Sequence, residues 1–148
     1  MPPEIKATIE VEQPPPSTKG PLWVRFIVTN DTDSPVSVPN PDVGKPPPEL
    51  KWTLSAETFR NAVLLSFGLL KLALQSATGE VLPEVHHNPW VTPFFLPPLE
   101  LAPGESFDFR INVADHFAVG KAGKYHLAVE YGDHSLLTRA EAQLVIVN

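Results

Sequence analysis

The stretch Leu22 to Thr29 reads Leu-Trp-Val-Arg-Phe-Ile-Val-Thr and gives the clearest strand signal in the sequence. Its even-numbered residues are all apolar: Leu22, Val24, Phe26 and Val28. Side chains along a strand point alternately to the two faces of a sheet. The stretch therefore predicts a strand with one face turned to a hydrophobic core.

A second stretch, Phe107 to Val113, repeats this alternation in the C-terminal half of the chain. Its odd-numbered residues are apolar and its even-numbered residues are polar up to Asn112. We predict that the apolar sets of both stretches lie in one core: Leu22, Val24, Phe26, Val28, Phe107, Phe109, Ile111 and Val113.

The rest of the chain divides into short extended pieces separated by turns rich in Pro, Gly, Asn and Asp. Alternation predicts further strands at 5–12, 35–38, 70–75, 80–85, 125–131 and 142–147. A short helix is predicted over Ala56 to Leu65, since Phe59, Ala62 and Val63 share a helical face. Short strands without a strand–helix–strand rhythm predict an all-β, immunoglobulin-like antiparallel β-sandwich with Pro-rich loops and one helical insertion. We expect one domain over residues 1–148.

Two local motifs are expected to shape this sandwich. Pro103 and Gly104 stand at the centre of a predicted tight turn. Gly123 and Tyr125 resemble the tyrosine corner, in which the phenol hydroxyl bonds back to nearby backbone. An ordinary strand tyrosine would give the same pattern, so both interpretations stay open.

Charge and composition argue against several classes of function. The formal net charge is −6 and the lysines and arginines form no basic run, so nothing would neutralise a row of nucleic-acid phosphates. The chain has no cysteine, which excludes a disulfide scaffold and a thiol nucleophile. The N-terminal residues lack a signal-peptide pattern, and the longest apolar stretch, 62–74, is too short to span a bilayer. The sequence predicts a cytoplasmic protein, or a secreted one if a leader has been removed.

Three segments taken together carry a family resemblance: 21–30, then 101–106 with its Ala-Pro-Gly-Glu, then Gly123-Lys124-Tyr125. This order resembles the immunoglobulin-like domain that precedes the catalytic domain of deuterolysin-type, peptidyl-lysine-specific metalloproteases. More loosely, it is similar to the bacterial intracellular proteinase inhibitors. The likeness fails across 40–67. The resemblance implies a bacterial accessory or recognition domain. It transfers no catalytic residue, because this chain has no His-Glu-x-x-His motif.

The histidines give only weak signals for chemistry. His86 and His87 are adjacent, so on an extended chain they point in opposite directions. A zinc site would need the fold to bring them to His116, His126 or His134. Acid–base neighbours occur at 115–116 and 133–134, and a hydroxyl from Ser106, Ser135 or Thr138 would be needed to complete a triad. We expect no cofactor, no metal and no enzymatic activity.

Oxygen ligands for calcium could come from a group of Asn and Asp residues that also suits turn formation. The group consists of Asn30, Asp31, Asp33 and Asp42. Its spacing matches no EF-hand, and turn formation is the favoured interpretation.

The strongest candidate for a partner surface is a Pro-rich loop with clustered apolar residues: Trp90, Val91, Phe94, Phe95 and Leu96. A stiff loop loses little entropy on binding, and aromatic side chains dominate interface hot spots. The alternative is that this loop covers an open side of the sandwich, and we expect at least two of the three rings to be buried. The sequence thus predicts a non-catalytic binding or accessory module that recognises a protein. The alternatives are a proteinase inhibitor acting through an exposed loop and, more remotely, a metal-dependent hydrolase.

Overall fold

A computed structural model describes residues 5–12, 21–42, 56–85, 97–133 and 136–147. Within these ranges the chain forms β-strands, one α-helix and a short 3₁₀ turn at Val113–Asp115. The elements are β1 (Ile5–Val11), β2 (Trp23–Asn30), β3 (Val36–Val38), α1 (Ala56–Ser66), β4 (Leu70–Ser76), β5 (Leu99–Leu101), β6 (Ser106–Asn112), β7 (Gly123–Asp133) and β8 (Leu136–Ile146).

The strands form antiparallel sheets, as the sequence predicts for an all-β fold. One three-stranded sheet has the order β1-β2-β6, and a second has the order β4-β7-β8. The short strands β3 and β5 pair with each other. The register joins Phe26 to Phe109 across β2 and β6, which places the two predicted apolar faces on the same side of the sheet.

The core lies between the two larger sheets. Phe26 is fully buried, and its ring meets Phe109 edge-on at a centroid distance of 5.5 Å and Tyr131 of β7 at 6.4 Å. Seven of the eight predicted core residues are buried, whereas Phe107 is only partly buried and packs at the margin. On one side of the sandwich β1 lies against β8, so the first and last described strands are neighbours.

Helix α1 supplies apolar side chains to the core and protects the outer edge of β6. Its residues Phe59, Val63 and Leu64 are buried, in agreement with the helical face that the sequence predicts. The side chains of Arg60 and Asn61 both donate to the carbonyl of Arg110, at 2.9 and 3.0 Å. An edge strand otherwise presents unpaired backbone groups, and the helix satisfies one of them here.

Arg110 of β6 is the centre of an ion-pair cluster that links α1 to Glu12, the residue that follows β1. Its guanidinium makes two hydrogen bonds to the carboxylate of Glu12, at 2.8 and 3.0 Å, and one to Glu57 at 3.1 Å. The same group stacks over the ring of Trp23 at 4.1 Å. The hydrogen bond from Arg110 is the main cause that lowers the pKa of Glu12, so this carboxylate stays ionised at neutral pH.

Three strand predictions need correction. The segment 80–85 is not a strand. Val81 forms an isolated bridge to Gln75 of β4, and Glu84 forms another to Phe117, because the segment turns away from β4 near Pro83. The last strand begins at Leu136 rather than at 142. Also, Val113 lies in the 3₁₀ turn and not in β6, although its side chain is buried as predicted.

Candidate functional site

Several of the predicted site residues lie outside the described residues. The loop residues Trp90, Val91, Phe94, Phe95 and Leu96 are in this group, as are His86, His87 and His134. The partner surface proposed for that loop therefore stays a prediction.

The two histidines that the structure describes occupy different environments. His116 follows the 3₁₀ turn and is fully buried, whereas His126 lies on β7 with its side chain partly exposed. Across the described ranges, no three His, Asp or Glu side chains are grouped so that they could hold a metal ion.

Two of the acid and hydroxyl groups considered for a triad, those of Asp115 and Thr138, have structural partners. The carboxylate of Asp115 accepts a hydrogen bond from the Thr58 hydroxyl on α1, which anchors the helix to the 3₁₀ turn. Thr138 is buried, and its hydroxyl donates to the Tyr131 carbonyl at 3.0 Å. Ser106 is exposed at the start of β6, while His116 is buried.

Asn30, one of the candidate calcium ligands, holds two turns together. Its amide nitrogen donates to the carbonyls of Ser34 and Leu101, at 2.8 and 2.9 Å. Its amide oxygen accepts from the backbone nitrogen and the hydroxyl of Thr32, at 3.0 and 2.6 Å. The side chain is fully buried. All of its hydrogen-bonding capacity is used within the fold, so the turn interpretation describes this residue.

The predicted turn at Pro103 and Gly104 also contacts Asn30. The nitrogen of Glu105 donates to the Ala102 carbonyl at 2.9 Å, and Gly104 has a φ of +84°. A positive φ at this third turn position favours glycine. The nitrogen of Gly104 donates to the Asn30 carbonyl at 2.8 Å, which fixes the turn against the end of β2.

Tyr125 makes a local hydrogen bond of the kind that the motif suggested. Its ring is buried and its hydroxyl donates to the carbonyl of Lys121 at 2.7 Å. Gly123, which begins β7, has a φ of +148°, a region that other residues rarely adopt. The bond fixes the chain just before it enters the sheet.

Replacing Tyr125 by phenylalanine is expected to lower the free energy of unfolding by about 1 kcal/mol, because a hydrogen bond is lost while the ring packing stays. A Tyr131→Phe variant removes a hydroxyl that donates to the Pro39 carbonyl from deeper in the core, and should lose more. Urea unfolding of both variants measures the difference. An unchanged midpoint for Tyr125→Phe would mean that the bond does not stabilise the fold.

A regular surface lies on the side of the β4-β7-β8 sheet that points away from the core, and it is here called the outer face. Strand register aligns its side chains in three rows. The rows are Lys71–Glu130–Arg139, Ala73–Ala128–Glu141 and Gln75–His126–Gln143. The middle row thus begins with two alanines, of which Ala73 is exposed and Ala128 is buried, and ends with Glu141, while the rows on either side are polar or charged.

A continuous chain of polar contacts holds part of this face in place. Arg139 donates to Glu130 at 2.8 Å and to Glu141 at 3.2 Å, and Glu141 also contacts Nε2 of His126 at 2.9 Å. The hydrogen bond from His126, followed by that from Arg139, lowers the pKa of Glu141. Glu141 is therefore ionised at neutral pH and positions both neighbours.

A separate cleft opens at the end of the same sheet. It lies between the turn at 76–80 and the segment 118–125, with a volume of about 500 Å³. Leu82 and Ala122 contribute apolar surface, and Lys121 and Lys124 contribute charge.

Sequence reasoning missed the outer face, although part of its signal was present. From Leu137 onward β8 alternates, with Thr138, Ala140, Leu144 and Ile146 buried and Ala142 partly buried. A threonine and an alanine on the core side made the first half of this strand hard to detect by hydropathy.

Comparison with protein-family models gives no match, and comparison with curated proteins gives none either. Solved structures with similarity include two β-glucosidases, one from Erythrobacter marinus and one from Listeria innocua in complex with glucose. They are 11% and 10% identical, with TM-scores of 0.43 and 0.41. The matches cover 98% and 99% of this chain, which spans 16% of each glucosidase. The bacterial hydrophobin BslA is 9% identical over 100% of this chain and 99% of its own, with a TM-score of 0.40. At these scores none of the three carries an inference about function.

Proposed function

We propose that this protein is a non-catalytic, immunoglobulin-like module that recognises a protein partner through the outer face of the β4-β7-β8 sheet. The observation that carries the proposal is the organisation of this face. Ala73 and Ala128 leave its centre low, and the Glu130–Arg139–Glu141–His126 chain is already ordered by its own contacts.

Such a surface suits recognition of a folded protein better than chemistry. Side chains that are ordered before binding lose less entropy when a partner docks. An apolar centre with a charged rim is the usual anatomy of a protein interface. Val81, which is exposed and bridges to Gln75, adds apolar surface at the margin of this face. The resemblance to an accessory domain of deuterolysin-type metalloproteases agrees with this proposal.

A bulky charged side chain at the centre of the face tests the proposal. Ala73 is exposed on β4, so Ala73→Arg should fold normally yet obstruct docking. Thr8→Arg places the same side chain at an exposed position of β1, in the other sheet, and is the matched control. We expect Ala73→Arg to weaken partner binding by about tenfold or more, which corresponds to about 1.4 kcal/mol.

The measurement is affinity capture from a lysate of the source cells by wild type and both variants, followed by direct binding to the purified captured protein. Melting temperatures of the variants confirm that both are folded. A protein bound by wild type and Thr8→Arg but lost with Ala73→Arg supports the proposal. Equal binding to all three proteins, or no specific capture by wild type, contradicts it.

A further inference from the structure

We infer that the cleft between the turn at 76–80 and the segment 118–125 binds a small organic anion with a compact apolar body. The cleft is separate from the centre of the outer face. Its volume of about 500 Å³ lies in the range typical of sites for small molecules, which is about 300–1,000 Å³.

The charged side chains of the cleft indicate that one part of the ligand is an anionic group. Two lysines, Lys121 and Lys124, line the cleft against a single carboxylate, that of Glu80. Neither lysine forms an ion pair within the described part of the chain. The side chains of Arg25, Arg110 and Arg139, by contrast, each pair with a carboxylate within the fold. In a protein with a net charge of −6, this cleft is thus a local cationic site.

The apolar lining of the cleft indicates that the rest of the ligand is apolar. Leu82, Pro83, Ala77 and Ala122 supply aliphatic surface beside the buried ring of Tyr125. A bare inorganic ion would leave this surface in water, whereas an organic anion would cover it.

Both walls of the cleft are held before any ligand arrives. The Tyr125 hydroxyl fixes the Lys121 carbonyl at 2.7 Å on one wall. On the other wall, the hydroxyls of Ser76 and Thr78 lie 2.9 Å apart, and the nitrogen of Glu80 donates to the Ser76 hydroxyl at 3.2 Å. A preformed site reduces the ordering cost of binding.

The test is a titration of the whole protein, monitored by calorimetry and by backbone amide NMR. The probes are hexanoate, phenyl phosphate, inorganic phosphate and 1-hexanol, at constant ionic strength. We expect saturable binding of hexanoate or phenyl phosphate, with shifts at the amides of Ala77, Ala122 and Lys124. The two organic anions distinguish a carboxylate from a phosphate ligand, while the other probes test charge alone and apolar surface alone.

A double variant and a matched control decide the role of the lysines. Lys121→Ala/Lys124→Ala should weaken the Kd by about tenfold or more. Lys6→Ala/Arg25→Ala removes the same charge from exposed positions in the β1-β2-β6 sheet, outside both the cleft and the outer face. It should change the Kd by less than about twofold, because distant exposed charges are screened by salt.

Three results would overturn the inference. The first is that neither organic anion saturates the protein. The second is that inorganic phosphate binds as tightly as phenyl phosphate, which would leave the apolar lining without a role. The third is that the two double variants bind alike.

Discussion

Truncation of Phe26 to alanine is expected to lower the free energy of unfolding by about 3–5 kcal/mol. The ring is fully buried between the sheets and contacts both Phe109 and Tyr131. Its removal leaves a cavity that two opposing sheets cannot easily fill, because each is held by its own backbone hydrogen bonds. Guanidinium or urea unfolding at neutral pH gives the value.

Ile27 provides the control for this experiment, since it follows Phe26 on the same strand but points to the opposite face. It is partly exposed, so Ile27→Ala should cost clearly less. Truncation of a buried phenylalanine usually costs several times more than about 1 kcal/mol. A loss below about 1 kcal/mol for Phe26→Ala would therefore mean that the assigned core face is wrong.

The second large effect is expected from Asn30→Asp, a change that keeps the size of the side chain. The amide nitrogen that donates to the carbonyls of Ser34 and Leu101 becomes a carboxylate oxygen, which those carbonyls repel. The site is fully buried, so the charge is not solvated. We expect a loss of about 3–5 kcal/mol at pH 7.

This loss should depend on pH in a defined direction. Burial and the two facing carbonyls raise the pKa of the introduced carboxyl in the folded state above its ordinary value of about 3.9. The protonated form, which can donate again, is therefore favoured in acid. The stability difference from wild type should be largest near neutral pH and should shrink as the pH falls through the raised pKa.

Asp33→Asn makes the reverse change on an exposed turn residue nearby and should alter stability by less than about 0.5 kcal/mol. Unfolding curves of wild type and both variants between acid and neutral pH provide the comparison. A deficit for Asn30→Asp that stays constant with pH would show that the carboxylate is not enclosed as the structure indicates.

The sequence predicted those parts of the fold in which apolar and polar residues alternate strongly. The inward faces of β2 and β6 follow from Val24, Phe26, Phe109 and Ile111, all of which are buried. Helix α1 begins at Ala56 as predicted and ends one residue later, at Ser66. Local patterns sufficed here because each element buries one continuous apolar face.

Features that depend on contacts between distant segments were not predictable in this way. The segment after Gly79 stays beside β4 only as far as Leu82, and Glu84 then pairs with Phe117, which no local pattern indicates. The outer face exists only through the register of three strands, which brings Lys71, Glu130 and Arg139 into one row. The buried role of Asn30 could not be seen either, since turn-forming and ligand-binding asparagines look alike in sequence.

The contact between β1 and β8 has a consequence for the kinetics of folding. These strands lie near opposite ends of the described chain yet are neighbours in space. One side of the sandwich can therefore close only after the last strand has joined β7. Folding that waits for contacts between distant parts of a chain is slow compared with that of helical proteins of similar size. Until β8 is in place, the partly buried apolar side chains of β1 lack this neighbour, so a chain still being synthesised would be prone to aggregation at this strand.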